Sequence, residues 1–339
     1  MKIGMLTGGG DCPGLNAVIR ALCRRLWEDG HETVGVLNGW RGMIDGNLKP
    51  LGWDETSGIL QKGGTIIGTS RTNPHKIEGG VEAVKKTFEQ IDALVAIGGE
   101  DTLGVAAKLF AEENLPVVGV PKTIDNDLNG TDYTFGFDTA VYVATEAIDR
   151  VHSTAESHSR IIVVETMGRH AGWIALMSGI AGGADFILIP EQPVVYDDVA
   201  AAVERRKQRG KNFSVIVASE GCELPGVSDE GEVDEFGHVR VENRNIGETV
   251  AQEIEKRTGT QARATVLGYI QRGGSPTTRD RVLGLRFGLE AADLVTKGNW
   301  GQMAALHGDD VVSVPLTEAT AELKLVPDSW YETAKTFFG

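Results

Sequence analysis

The sequence predicts an α/β protein of two similar lobes, each a mostly parallel sheet flanked by helices. Three observations carry this. Short apolar runs of strand length alternate with longer segments whose apolar residues keep helical spacing. Glycine clusters follow the apolar runs directly, as at 8–10 and 98–99. The strand–loop–helix order of the first half recurs in the second half without obvious sequence identity, and such alternation favours parallel pairing.

Residues 2–7 read as the first strand. Gly8-Gly9-Gly10-Asp11 turns the chain, and Pro13 suits a helix start. Leu15, Val18, Ile19, Leu22 and Leu26 keep helical spacing to about residue 28. A helix N-terminus after a glycine loop suits a bound phosphate. A strand at 33–37 leads into the loop Asn38-Gly39-Trp40-Arg41-Gly42, and Gly63 through Arg71 is a second glycine-rich stretch. Helix 77–90, strand 93–97, helix 102–113 and strand 117–120 follow, then a helix around 138–152. Strand 161–165 opens into Met167-Gly168-Arg169-His170, followed by a helix to about 181, strand 186–189, helix 197–209 and strand 214–218, which ends at Glu220. Residues 221–243 are glycine-rich and acidic and are expected to form an irregular excursion or a hairpin. Helix 246–257, strand 263–269, the turn Gln271-Arg272-Gly273-Gly274-Ser275-Pro276 and helix 278–296 come next, with a strand and a terminal helix within 311–339.

A length of 339 residues suits one large or two medium domains. The net charge of −15 argues against nucleic acid or an anionic membrane as partner. An anionic substrate must then be met by a local cluster of Arg and Lys. Cys12, Cys23 and Cys222 are odd in number and match no zinc spacing, so reduced thiols in a cytoplasm are expected. Cys12 as a nucleophile lacks a His/Asn partner pattern. No signal peptide or membrane-spanning apolar run is apparent.

Gly98-Gly99-Glu100-Asp101-Thr102 and Pro121-Lys122-Thr123-Ile124-Asp125-Asn126-Asp127 each follow an apolar run. They therefore read as loops at the C-terminal ends of buried parallel strands, where open α/β sheets bind ligands. Phosphorylating an alcohol needs a proton acceptor and a metal to offset phosphate charge. Asp125 and Asp127 taken alone favour an Asx turn or a helix cap. Lys122, Thr123, Glu100 and Asp101 beside them shift the reading toward phosphoryl transfer. Arg71, Arg160, Arg169, Arg263 and Arg272 each abut a strand end or a glycine turn, and guanidinium forks match phosphate oxygens. His170 reads as a structural hydrogen bonder.

These runs, together with Leu6 through Asn16, Glu165 through Arg169 and Arg263 through Pro276, closely resemble the bacterial-type phosphofructokinases in family order along nearly the whole chain. The resemblance implies two Rossmann-like lobes with the active site in the cleft between them: residues 1–136 plus 271–320 for the phosphoryl donor, and 137–270 plus 321–339 for fructose 6-phosphate. It implies Asp125 as the base, supported by Thr123 and Asp127, with Arg71 stabilising the transferring phosphoryl group. Gly10, Arg71, Asp101, Thr102 and Lys122 would bind the donor, and Glu100 would hold Mg²⁺. Thr123, Asp125, Met167, Gly168, Arg169, Glu220, Tyr269 and Arg272 would bind the sugar phosphate. Arg160 and Arg263 would reach in from a neighbouring subunit of a homodimer or homotetramer. Tyr269 stands where a histidine is common in the family.

Asp101 and Lys122 decide the expected donor. The ATP-dependent members have glycine at both places, and the pyrophosphate-dependent members resemble this chain. A carboxylate beside the α-phosphate of a nucleotide adds bulk and repulsion, while a lysine suits compact, highly charged pyrophosphate. The expectation is reversible, Mg²⁺-dependent transfer between pyrophosphate and fructose 6-phosphate. An ATP-dependent enzyme is the alternative, and a non-catalytic sugar-phosphate sensor a remote one. Gly8-Gly9-Gly10 lacks the dinucleotide G-x-G-x-x-G spacing. Arg20 and Arg24 resemble effector-site arginines of the family, but Trp53 replaces another, which implies weak allosteric control.

Overall fold

The computed structural model of the chain describes residues 1–226 and 244–339. In chain order the elements are β1 (Lys2–Thr7), α1 (Leu15–Glu28), β2 (Glu32–Val36), α2 (Trp40–Asp45), β3 (Leu48–Pro50), α3 (Gly80–Phe88), β4 (Ala93–Gly98), α4 (Glu100–Glu113), β5 (Val117–Thr123) and β6 (Phe135–Gly136). Next come α5 (Phe137–His158), β7 (Ile161–Thr166), α6 (Trp173–Ala181), β8 (Phe186–Leu188), α7 (Tyr196–Gln208), β9 (Ser214–Ser219), α8 (Ile246–Thr258) and β10 (Ala262–Val266). The last are α9 (Thr278–Lys297), β11 (Gln302–His307), β12 (Asp310–Pro315), α10 (Leu316–Ala319) and α11 (Asp328–Lys335). The chain divides into two compact units. The described residues of the first are 1–139 and 272–323, and those of the second are 140–226, 244–271 and 324–339.

In the first unit the strands run in the order β12-β11-β5-β4-β1-β2-β3, with β6 on β5. β1 pairs in parallel with both β2 and β4. The chain therefore moves outward to β2 and then returns past β1 to β4. That reversal makes a topological switch point at the β1 and β4 carboxyl ends. The register sets Thr7 opposite Ile97 and Gly98 opposite Pro121, so the loops after β1, β4 and β5 leave the sheet at neighbouring levels. β4 is buried throughout, as expected of a strand covered on both faces. Helix α9 packs on α1, and a Cβ at Gly288 would lie 2.7 Å from Ala21 Cβ and 2.8 Å from the Val18 carbonyl oxygen. Glycine permits that close approach.

The second unit holds an all-parallel sheet in the order β10-β7-β9-β8 among the described residues. Ile161, Val163, Ile216 and Ala218 of this sheet pack against Val199, Val203, Val250 and Ile254 of α7 and α8. The chain end after α11 returns to the sheet, with Phe338 stacked on Phe186 at 4.5 Å between ring centroids.

Several expected boundaries move. The Trp40 loop is the start of α2, which burial of Trp40 and Met43 holds in place. Glu100 and Asp101 lie inside the first turn of α4 rather than before it, because Gly99 takes the extended N-cap conformation. β5 continues through Lys122 and Thr123, since Lys122 and Thr123 pair with Phe135 and Gly136. β10 stops at Val266, and Gly268–Arg272 forms a 3-10 turn. The edge strands β3 and β12 are antiparallel. Most of the expected excursion, residues 227–243, lies outside the described residues.

Candidate active site

The loops at the switch point are tied into one knot. Gly8 N–H donates to the Ile97 carbonyl at 3.0 Å, and Gly9 N–H donates to that of Ser70 at 3.0 Å. Thr69 Oγ1 donates to the Gly9 carbonyl at 2.7 Å, and Thr7 Oγ1 to that of Gly68 at 2.7 Å. Ser275 Oγ donates to the Gln61 carbonyl at 2.5 Å, which brings in the turn before α9. Thr102 is wedged between two of these loops. A Cβ at Gly8 would lie 2.4 Å from Thr102 Oγ1, and one at Gly98 2.3 Å from Thr102 Cβ. Thr102 thus acts first as a spacer, and both glycines are needed to seat it.

Two cations meet at Gly10. Lys122 is only 3% exposed, and its Nζ donates to the Gly10 carbonyl at 2.5 Å. Burial pushes the Lys122 pKa down and Arg272 adds to that, while Cys12, Asp11 and Asp125 oppose it. Arg272 lies against the same glycine: a Cβ there would be 2.6 Å from Nη1 and 3.0 Å from Cζ. Arg71, one residue beyond Ser70, is exposed.

The carboxylates stand on a pinned turn. Asn126 has φ 52°, the left-handed region that Asn tolerates better than most residues. Its Oδ1 accepts from Thr134 N–H at 3.0 Å, and Thr134 Oγ1 donates to the Thr123 carbonyl at 2.7 Å. Asp125 N–H donates to Thr123 Oγ1 at 3.1 Å. Burial raises the Asp127 carboxyl to about 7, with help from the charge of Asp125 and, less, of Glu100, against a hydrogen bond from Thr123. Three acids therefore share one field. Asp127 therefore keeps its proton to higher pH than an ordinary carboxyl.

Glu100 and Asp101 sit at the α4 N-terminus, where the helix dipole favours negative charge. Among the described residues no group of three or more His, Cys, Asp or Glu side chains is arranged to hold a metal. Glu100 and Asp101 are the carboxylates there that could hold Mg²⁺, which commonly binds one or two carboxylates plus substrate phosphates and keeps its waters. Asp101 also lines a groove of about 440 Å³ with Asn73, His75, Lys76 and Lys108. Cys12 is fully buried against Phe135 and Gly136, and its thiol is pushed up to about 12, mainly by burial. Such a thiol is inert as a nucleophile.

In the second unit, Met167, Gly168 and Arg169 follow β7, and Glu220 follows β9. Glu220 N–H donates to the Thr166 carbonyl at 2.9 Å, and Ser219 Oγ to that of Gly168 at 2.6 Å. Met167 N–H donates to Gln271 Oε1 at 3.3 Å, which draws in the turn carrying Tyr269. These residues share the carboxyl edge of the sheet. Arg160 precedes β7, and Arg263 pairs with Ile162 near the opposite edge. At about 3.3 Å per residue, the six steps from Arg160 to Thr166 span roughly 20 Å. One copy of this unit therefore keeps the two groups at opposite strand ends.

Sequence reading passed over Asn126, Thr69 and Asp280. Asp280 Oδ2 accepts from both Thr139 N–H at 2.8 Å and Thr139 Oγ1 at 2.5 Å, anchoring the start of α5. An Asn between two acids was the available sign of a left-handed turn.

A family model described as phosphofructokinase matches residues 2–295. A protein of Amycolatopsis mediterranei (strain S699) called pyrophosphate--fructose 6-phosphate 1-phosphotransferase is 58% identical, covering 100% of both chains. A protein of Mycobacterium tuberculosis (strain ATCC 25618 / H37Rv) called ATP-dependent 6-phosphofructokinase is 52% identical, also covering 100% of both. The structure of Pichia pastoris phosphofructokinase in the T-state superposes with a TM-score of 0.83 at 32% identity. That match covers 99% of this chain and 36% of the longer yeast chain. With its switch-point loops, its paired acids and this match along most of its length, the chain belongs to the phosphofructokinase family.

Proposed function

We infer that this chain transfers a phosphoryl group reversibly between pyrophosphate and the 1-hydroxyl of fructose 6-phosphate, giving fructose 1,6-bisphosphate and orthophosphate. The observation that carries the donor assignment is Lys122, whose buried ammonium lies on the Gly10 loop, with Asp101 in the first turn of α4. A compact diphosphate rewards such a fixed cation, whereas a nucleotide needs space where Asp101 places a carboxylate.

Asp125 takes the proton from the sugar 1-hydroxyl, while Thr123 and Asp127 hold it in position and tune its charge. Arg71 is free to meet the transferring phosphoryl group, and the Gly10 backbone approaches the diphosphate. Glu100 would hold Mg²⁺, which supplies charge neutralisation on the phosphate oxygens. Met167, Gly168, Arg169, Glu220, Tyr269 and Arg272 bind fructose 6-phosphate. The first unit is the donor lobe and the second the sugar-phosphate lobe. Arg160 and Arg263 complete a neighbouring copy's site in a homodimer or homotetramer, in keeping with their place at the far strand ends. Among the described residues no helix is long and apolar enough to cross a membrane, and we assign the enzyme to the cytoplasm. Allosteric control by nucleotides is weak: the Trp53 ring already covers Arg24, with Cζ 3.2 Å from its centroid.

An ATP-dependent reaction is the second reading, favoured by the groove beside Asp101, whose volume lies in the small-ligand range. The general-base assignment is tested with Asp125→Ala. Turnover should fall roughly 10²- to 10⁴-fold, with fructose 6-phosphate still bound in calorimetry. An unchanged rate would refute the base.

A further inference from the structure

The glycine loop after β1 has to hold its peptides still without side chains of its own. Gly8-Gly9-Gly10 lacks a Cβ at three successive positions, and Gly9 has φ 75°, so a peptide plane there turns over at little steric cost. Each plane is instead held from outside. The Gly8–Gly9 peptide is fixed by its N–H, which donates from Gly9 to the Ser70 carbonyl at 3.0 Å. The Gly10–Asp11 peptide is fixed by its carbonyl, which accepts from Lys122 Nζ at 2.5 Å. The Gly9–Gly10 peptide between them is fixed by its carbonyl, which accepts from Thr69 Oγ1 at 2.7 Å. In a trans peptide the N–H points opposite to the C=O. With the Gly9 carbonyl turned to Thr69, the Gly10 N–H is turned away from that loop, and it makes no hydrogen bond among the described residues. Resting on the reading that this loop receives the phosphoryl donor, we propose that Thr69 is a positioning residue for the transfer: its hydroxyl locks the Gly9–Gly10 peptide in the orientation that presents the Gly10 N–H to the donor phosphate.

This hydroxyl differs from a general loop anchor. The loop that carries Thr69 is tied down without it: Thr7 Oγ1 donates to the Gly68 carbonyl at 2.7 Å, Asn38 N–H to that of Ile67 at 2.8 Å, and Ile66 N–H to Asn16 Oδ1 at 2.9 Å. Loss of the Thr69 hydroxyl therefore leaves the loop in place and frees one peptide plane. A flipped Gly9–Gly10 peptide would set a carbonyl oxygen where the N–H stood, which replaces a donor by a partial negative charge in front of an anion. A backbone N–H stabilises developing phosphate charge at no reorganisation cost only when it is fixed beforehand. Thr69 also lies two residues before Arg71, so the same bond ties the backbone of that arginine to the Gly9–Gly10 loop.

The test compares the full-length enzyme as wild type, Thr69→Val and Thr69→Ser. Initial rates are measured with pyrophosphate and fructose 6-phosphate varied separately, and methylenediphosphonate and fructose 6-phosphate are titrated into each protein by calorimetry. Valine keeps the branched shape and lacks the hydroxyl, whereas serine keeps the hydroxyl. In Thr69→Val, kcat/KM for pyrophosphate should fall on the order of 10- to 100-fold and Kd for methylenediphosphonate should rise about 3- to 10-fold. Kd for fructose 6-phosphate should stay within about threefold, and Thr69→Ser within about threefold of wild type in every constant. A merely structural hydroxyl would move the sugar and donor constants together. That result, wild-type diphosphate constants in Thr69→Val, or a Thr69→Ser enzyme as impaired as Thr69→Val would each overturn the proposal. If Thr69→Val does not fold, Thr69→Ala decides by the same criteria. Wild-type turnover with ATP alone would refute the pyrophosphate reading, and the same comparison with ATP as the varied donor would then decide the role of Thr69.

Discussion

Replacing Lys122 with methionine separates what this residue does for binding from what it does for folding. The side chain is buried, and its Nζ contacts only the Gly10 carbonyl by hydrogen bond among the described residues. A unit charge about 4 Å from a phosphate charge is worth about 4 kcal/mol at an effective dielectric of about 20. Desolvation and the competing Gly10 contact reduce the net to about 1.5–3 kcal/mol, or roughly 10- to 150-fold in affinity. For folding the sign differs. Methionine leaves the Gly10 carbonyl without its donor, which costs about 1–3 kcal/mol, but it removes a desolvated ammonium, whose burial costs a similar amount or more. Tm should therefore stay within about 4 °C of wild type. The assay is initial rate against pyrophosphate concentration, paired with a thermal melt of the same preparation. A Tm loss above about 10 °C with an unchanged KM for pyrophosphate would mean that Lys122 is a structural cation, and the donor argument would lose its basis.

Asp127 sets a pH dependence. Its folded value of about 7 lies above the ordinary 3.8, so the folded state holds a proton that the unfolded state has released between those values. Its contribution is fully present below about pH 4 and is lost as pH rises through 7. Asp127→Asn should therefore gain stability relative to wild type on going from pH 5 to pH 8, read from urea midpoints at the two pH values. A difference that does not change with pH would contradict the shifted carboxyl. All three thiols are buried, with Cys12 and Cys222 pushed up to about 12 and Cys23 to about 11. Native protein at neutral pH should take up no iodoacetamide by mass spectrometry and should label at all three sites only in denaturant. Rapid native alkylation of Cys12 would restore it as a reactive group.

Strand and helix order was readable because both period and punctuation were strong. β1, the glycine loop and α1 were visible from Leu15, Val18, Leu22 and Leu26, all of which are buried on the core face. β4 and β5 were visible as unbroken apolar runs, which strands covered on both faces require. Of the two antiparallel edges, β12 is the strand expected within 311–339, whereas β3, three mostly exposed residues, was not visible. The candidate site residues stood out as motifs, but their mutual arrangement did not. Nothing local to Thr102 says that it fills the gap between Gly8 and Gly98, and nothing local to Arg272 says that it lies on Gly10. The first follows from β1 and β4 being neighbours in the sheet and the second from α9 packing on α1, long-range contacts that no short window of sequence encodes.

The central claim is the choice of donor. It is tested most directly by initial rates with fructose 6-phosphate and Mg²⁺, run in parallel with pyrophosphate and with ATP. Turnover from pyrophosphate with little or none from ATP is the predicted result. Turnover from ATP alone would contradict the account and would assign the groove beside Asp101 to a nucleotide.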